Sequence, residues 1–126
     1  MKITTQDYNN ITVISLQGEI DTDSVEHLRN TVTDLLNAGR NENTPYNGEG
    51  GFVHKKGIVF DLSNVSFIDS QGLEFLLWAR DYCNENNCQL RLASPDETCS
   101  KILEITRLEN EFTCYSELSE AVKSFA

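Results

Sequence analysis

The sequence is short of positive charge. It has 10 Lys and Arg against 20 Asp and Glu, for a net charge of −10. A nucleic-acid binder needs a basic patch, and adhesion to anionic membranes needs one too, so both classes are excluded as expectations. Long apolar runs are also missing. The longest, around Leu73–Ala79, is interrupted by Glu74, so no segment approaches the roughly 18 residues of a membrane span. Met1–Asn10 is polar and lacks the apolar centre of a secretory leader. These absences lead us to expect a cytoplasmic protein with no membrane insertion. Only two histidines occur, His27 and His54, and none of the four cysteines forms a C-x-x-C pair. That spacing points to no metal site. Cys83, Cys88, Cys99 and Cys114 read as buried or idle thiols, with a Cys83–Cys88 bridge left open.

The 126 residues are 39% hydrophobic, enough for one domain with one core. Residues 2–6 and 11–17 read as strands joined by an Asn9-Asn10 turn. The second is apolar on both faces and belongs inside a sheet. A helix follows, capped by Asp21 or Asp23, with Val25, Leu28, Val32, Leu35 and Leu36 at helical spacing and Gly39 as its stop. His27 falls off that stripe, on the solvated side. Residues 40–57, rich in Gly and Asn, predict a long flexible loop insertion.

Ile58–Leu62 reads as a central strand. A turn at Ser63-Asn64 then leads to Val65, Phe67 and Ile68, expected to dip back into the core. A helix is predicted from Ser70 to Asn84, a strand over 88–94, and a helix with Pro95 in its first turn running to Arg107. A short strand in "EFTCYS" and a last amphipathic helix on Leu118, Ala121, Val122 and Phe125 complete the chain. The order ββαβαβαβα predicts an α/β fold, parallel at its crossovers.

"VSFIDSQGLEFLLWAR", residues 65–80, is the most informative stretch. Ser70 stands between a strand and a helix, where the first amide N–H groups lack partners and favour negative charge. Gly72 removes bulk from that turn. Three roles are open to Ser70: a helix cap, a nucleophile, or a phosphate acceptor. The nucleophile reading lacks a G-x-S-x-G elbow, and only His27 and His54 could act as its base. A phosphate there would add roughly −1.5 to −2 charge. The fold would tolerate it, while a partner pressed against the spot would not.

"GEID" at 18–21, "IVFDLSNVSFIDSQGL" at 58–73 and the following helix resemble the STAS domain family, and bacterial anti-sigma factor antagonists within it. The resemblance covers nearly the whole chain. It implies a STAS-like fold over residues 1–126, a mixed four- to five-stranded sheet with helices packed on it. It implies that Ser70 is phosphorylated by an anti-sigma factor serine kinase. The unphosphorylated form would bind that kinase and release the sigma factor, phosphorylation would abolish binding, and a PP2C-type phosphatase would reset the switch. The protein itself would be no enzyme and need no cofactor. Asp21, Asp69, Ser70, Gln71 and Gly72 would form the partner-binding region, with Asp21 either touching the partner or capping its own helix.

Three departures stand out. Gln71 occupies the place of a second serine in many members. The 40–57 insertion is longer than the usual connection. Phe75, Trp78 and Tyr82 form a second apolar face, expected to pack in the core and to become an interface anchor if exposed. The alternative reading is a stressosome-like STAS scaffold component or a cytoplasmic accessory subunit of a transport system. Gly48, Gly50 and Gly51 lack the GK[ST] of a phosphate loop, so no nucleotide site is expected.

Overall fold

In a computed structural model of the protein, residues 1–37 and 56–125 are described. The expected insertion therefore lies outside the described residues, apart from Lys56 and Gly57, as do the Gly39 helix stop and His54. Among these residues, five strands form one sheet in the order β1-β2-β3-β4-β5. They are β1 (Lys2–Tyr8), β2 (Ile11–Ile20), β3 (Gly57–Ile68), β4 (Gln89–Ala93) and β5 (Thr113–Tyr115). The helices are α1 (Val25–Asn37), α2 (Ser70–Glu85), α3 (Glu97–Ile105) and α4 (Leu118–Lys123).

The β1–β2 hairpin is antiparallel, and its turn places Asn9 at a positive φ of 58°, a conformation Asn adopts more readily than most residues. Every later pairing is parallel, as the helical crossovers require. β2 and β3 lie centrally. The run Ile11–Ile14 is buried throughout, as is Gly57–Phe60, because helices cover both sides of the sheet.

The larger core lies under α1, α2 and α3. It includes Ile14, Leu16, Leu28, Val32, Phe60, Phe75, Leu76 and Leu103. The smaller core gathers Ile11, Val13, Val59, Ala93, Ala121 and Phe125 beneath α4. There Gly57 leaves room for the Phe125 ring, which a Cβ would strike. The Arg91 guanidinium lies 4.1 Å from the centre of that ring.

Three sequence expectations need correction. β3 does not turn at Ser63-Asn64; it continues to Ile68. Its register against β2 slips twice, since Ser15 and Gln17 face Asp61 and Asn64, and Gly18 and Glu19 face Val65 and Phe67. Each slip adds one residue to β3, as in a β-bulge. The second slip turns Phe67 outward, where it is 44% exposed, while Val65 and Ile68 stay buried. Phe67 therefore does not enter the core. Pro95 precedes α3 instead of opening it, and Asp96 caps that helix by accepting from the Cys99 amide at 2.8 Å.

The aromatic face of α2 is packing. Phe75 touches Phe60, with centroids 5.7 Å apart. Trp78 stacks on Tyr82 at 5.0 Å, and Arg29 of α1 lies over Trp78 at 5.8 Å. The Tyr82 hydroxyl donates to Asn37 Oδ1 at 3.3 Å. α2 ends with Asn87 at φ 58° and the Cys88 amide donating to the Cys83 carbonyl at 2.8 Å, a Schellman closure. That closure brings the two thiols together. None of the four cysteines is in a disulfide; Cys83, Cys88 and Cys99 are buried and Cys114 is exposed.

Candidate functional site

The segment ending β2 and the segment joining β3 to α2 are tied together by backbone. The Asp69 amide donates to the Ile20 carbonyl at 3.1 Å. Asp69 is extended, with φ −90° and ψ −175°, and is the N-cap of α2: its Oδ1 accepts from the Gly72 amide at 2.8 Å. Its Oδ2 accepts from the Thr22 amide at 3.3 Å. One carboxylate thus serves two chain segments.

With Asp69 as the cap, Ser70 is the first residue of α2 and has no capping duty. Ser70 and Gln71 are exposed, and no acidic residue follows in the first turn. Gly72 is buried, and its role differs from the one expected. A Cβ there would collide with the Ile20 carbonyl oxygen and the Ile68 side chain. Glycine is needed for the close approach of α2 to β2, so Gly72 offers no surface of its own.

Asp21 stands in the adjoining turn. One of its carboxylate oxygens, Oδ1, accepts from the Asp23 and Ser24 amides, both at 3.1 Å. Ser24 Oγ donates to the Glu19 carbonyl at 3.0 Å and accepts from the Asp21 amide at 3.0 Å. These bonds close the entry to α1, an Asx-turn arrangement. The Asp21 turn and the Asp69 cap meet through the Ile20 carbonyl and the Thr22 amide. These two backbone groups carry no side-chain signature, and sequence reasoning did not find them.

The chemistry available is limited. Among the described residues, no group of three or more His, Cys, Asp or Glu side chains could hold a metal ion. His27, the one described histidine, lies exposed on α1. What the site presents is an exposed hydroxyl at a helix N-terminus, on a scaffold fixed by a doubly bonded carboxylate. No helix among the described residues is long and apolar enough to cross a membrane.

The STAS domain family model matches residues 2–121. A STAS-domain containing protein of Pseudomonas aeruginosa is 39% identical over 54 residues, 43% of this chain and 54% of that protein, so the match spans about half the length of that curated relative. A candidate anti-sigma factor antagonist from Thermotoga maritima superposes with a TM-score of 0.79 at 21% identity, covering 98% of this chain and 93% of that one. SpoIIAA in its unphosphorylated form gives 0.73 at 20% identity, over 98% and 95%. In its phosphorylated form this Bacillus cell fate determinant gives 0.67 at 19%, over 99% and 100%. A sulfate transporter family protein from Wolinella succinogenes gives 0.65 at 16%, over 92% and 84%. At these identities the likeness concerns the fold.

Proposed function

Because this chain belongs to the STAS domain family, we propose that it is an anti-sigma factor antagonist switched by phosphorylation of Ser70. In this reading the unphosphorylated protein binds a kinase-type anti-sigma factor in the cytoplasm and frees the sigma factor. The kinase transfers the γ-phosphoryl group of ATP to Ser70 Oγ. The new O–P bond forms as the β–γ bridge breaks, ADP leaves, and the hydroxyl proton passes to the kinase or to water. A PP2C-type phosphatase hydrolyses the ester. The protein supplies a surface and no catalysis. Its module would span residues 1–126, with 40–57 as an insertion.

The observation that carries this reading is the exposed Ser70 at the start of α2, beside a cap that Asp69 already fills. The hydroxyl is free for modification without loss of the cap. A phosphate there meets the positive end of the helix dipole, which offsets part of its repulsion from Asp69. A partner packed on Ser70 and Gln71 would have to dehydrate that new charge, so binding falls while the fold stays intact.

The likeness to the Wolinella protein supports a second reading, an accessory subunit of a transport system. One experiment separates them. Wild type and Ser70→Ala are incubated with ATP and the candidate kinase-type anti-sigma factors of the same organism. Intact mass and binding are then followed. One phosphate on wild type, none on the variant, and binding lost on modification support the switch. No modification and no binding by any candidate overturns it and favours the transport reading.

A further inference from the structure

We infer that the groove between the end of β3 and α3, built on Phe67, Ile102 and Ile105, is a second docking point for the same kinase and takes an apolar side chain set in a basic surface. The inference rests on the proposed function and extends it from the acceptor to the surface that would select the partner.

Large exposed apolar side chains are few among the described residues. Two of the four, Phe67 at 44% and Ile105 at 72%, line one groove of about 310 Å³ with Glu97, Thr98, Lys101 and Ile102. Ile105 is the most exposed of the four. Exposing an isoleucine to that extent gives the folded chain no burial energy, and clustered apolar exposure marks interaction surfaces.

The outward turn of Phe67 is built in. The second slip of β3 leaves Phe67 opposite Glu19, so Val65 and Ile68 enter the core with two residues between them. A regular pleat would not allow that spacing. α3 is held beside the slip by the Cys99 thiol, which contacts the Val65 carbonyl at 3.4 Å. Phe67 and Ser70 are three positions apart, so their Cα atoms lie no more than about 11 Å apart. A partner covering Ser70 reaches the groove without a second interface.

Charge selects the occupant. Asp96 and Glu97 stand at the head of α3, Glu104 near its end, and Asp69 at the acceptor. Lys101 is the one cation lining the groove. Glu97 is the one carboxylate in the lining, and the other three add acid around it, so the surplus of negative charge disfavours a second copy of this acidic chain. A basic kinase surface carrying one leucine- or phenylalanine-sized side chain complements both the charge and the groove.

The test uses the full chain and the organism's candidate kinase-type anti-sigma factors, with Ile105→Asp and Phe67→Ser as variants. Circular dichroism checks that both fold, and light scattering gives their mass. The expected result for each is at least tenfold weaker binding of the kinase and a raised KM for Ser70 phosphorylation at unchanged kcat. If both variants bind within twofold of wild type while phosphorylated wild type is released, the groove inference falls and the switch stands. If the variants change only the oligomeric mass, the groove is a self-association face and the inference is overturned. If wild type binds none of the kinases, the proposed function falls and takes the inference with it.

Discussion

The Asp69 amide donates to the Ile20 carbonyl, and the first turn of α2 packs against that same carbonyl through Gly72. The end of one strand and the beginning of a helix, about fifty residues apart in sequence, therefore share a single oxygen as their meeting point. Helix-forming propensity favours Ala over Gly by about 1 kcal/mol in a helix. At this position packing outweighs it. Gly72→Ala is expected to destabilise the protein by about 1–3 kcal/mol, the usual cost of overpacking. Urea unfolding would show it, and equal or greater stability would remove the close-approach argument.

Asp69 caps α2 and holds Thr22. Asp69→Ala removes both bonds and should cost about 1–2 kcal/mol. Asp69→Asn retains an acceptor oxygen and should cost less. Thermal unfolding of the two variants side by side tests the order; equal losses would mean the charge, rather than the hydrogen bonds, holds the turn.

Ser70 is exposed and does no capping. Ser70→Ala should leave stability within about 0.5 kcal/mol of wild type, as for other surface substitutions. A loss above 1 kcal/mol in urea would show that the hydroxyl has a structural task.

Burial, with Asp96 beside it, pushes the Cys99 thiol up to about 12 from its ordinary 9.0. The Cys88 side chain and burial push Cys83 up as well. Above pH 9 the unfolded chain loses these protons while the folded protein keeps them. Stability should therefore fall as pH rises from 9 towards 12, on the order of 1 kcal/mol per pH unit for Cys99. Urea midpoints at pH 8, 9 and 10 test the sign, and a flat profile would refute it.

The same burial predicts thiol reactivity. At pH 8 the exposed Cys114 should react with a thiol reagent in the native protein, with Cys83, Cys88 and Cys99 following only on unfolding. Mass mapping after brief alkylation settles which cysteine is labelled.

Much of the fold was legible because its signals are local. Asn9-Asn10 marked the hairpin, and the apolar spacing of Val25, Leu28 and Val32 marked α1. The alternation of strands and helices gave the parallel sheet. The end of β3 was not legible. Its two extra residues are defined by what they face on β2, and a slip against a distant strand leaves no mark in the strand's own sequence. Phe67 was misplaced for that reason. Gly72 stands out in the sequence, but its cause lies in Ile20, whose contribution is a carbonyl that every residue has. Pro95 fits the first turn of a helix by propensity, yet Asp96 is the better cap and moved the helix start past it.

The pairing pattern also has a kinetic consequence. Tyr8 and Ile11 pair across a turn three residues apart, while Ile11 and Gly57 pair across 46. Closing the longer loop costs about 2 kcal/mol more in chain entropy. The hairpin can therefore form early, and the central parallel pair is the slow event on which the sheet waits. The Asp69–Ile20 junction cannot form until β3 lies against β2. In chevron measurements Gly72→Ala should then mainly speed unfolding, with the refolding arm little changed. Ser70 gains its fixed setting only once that junction has closed, so a kinase acting on it as proposed would also discriminate finished molecules from nascent ones.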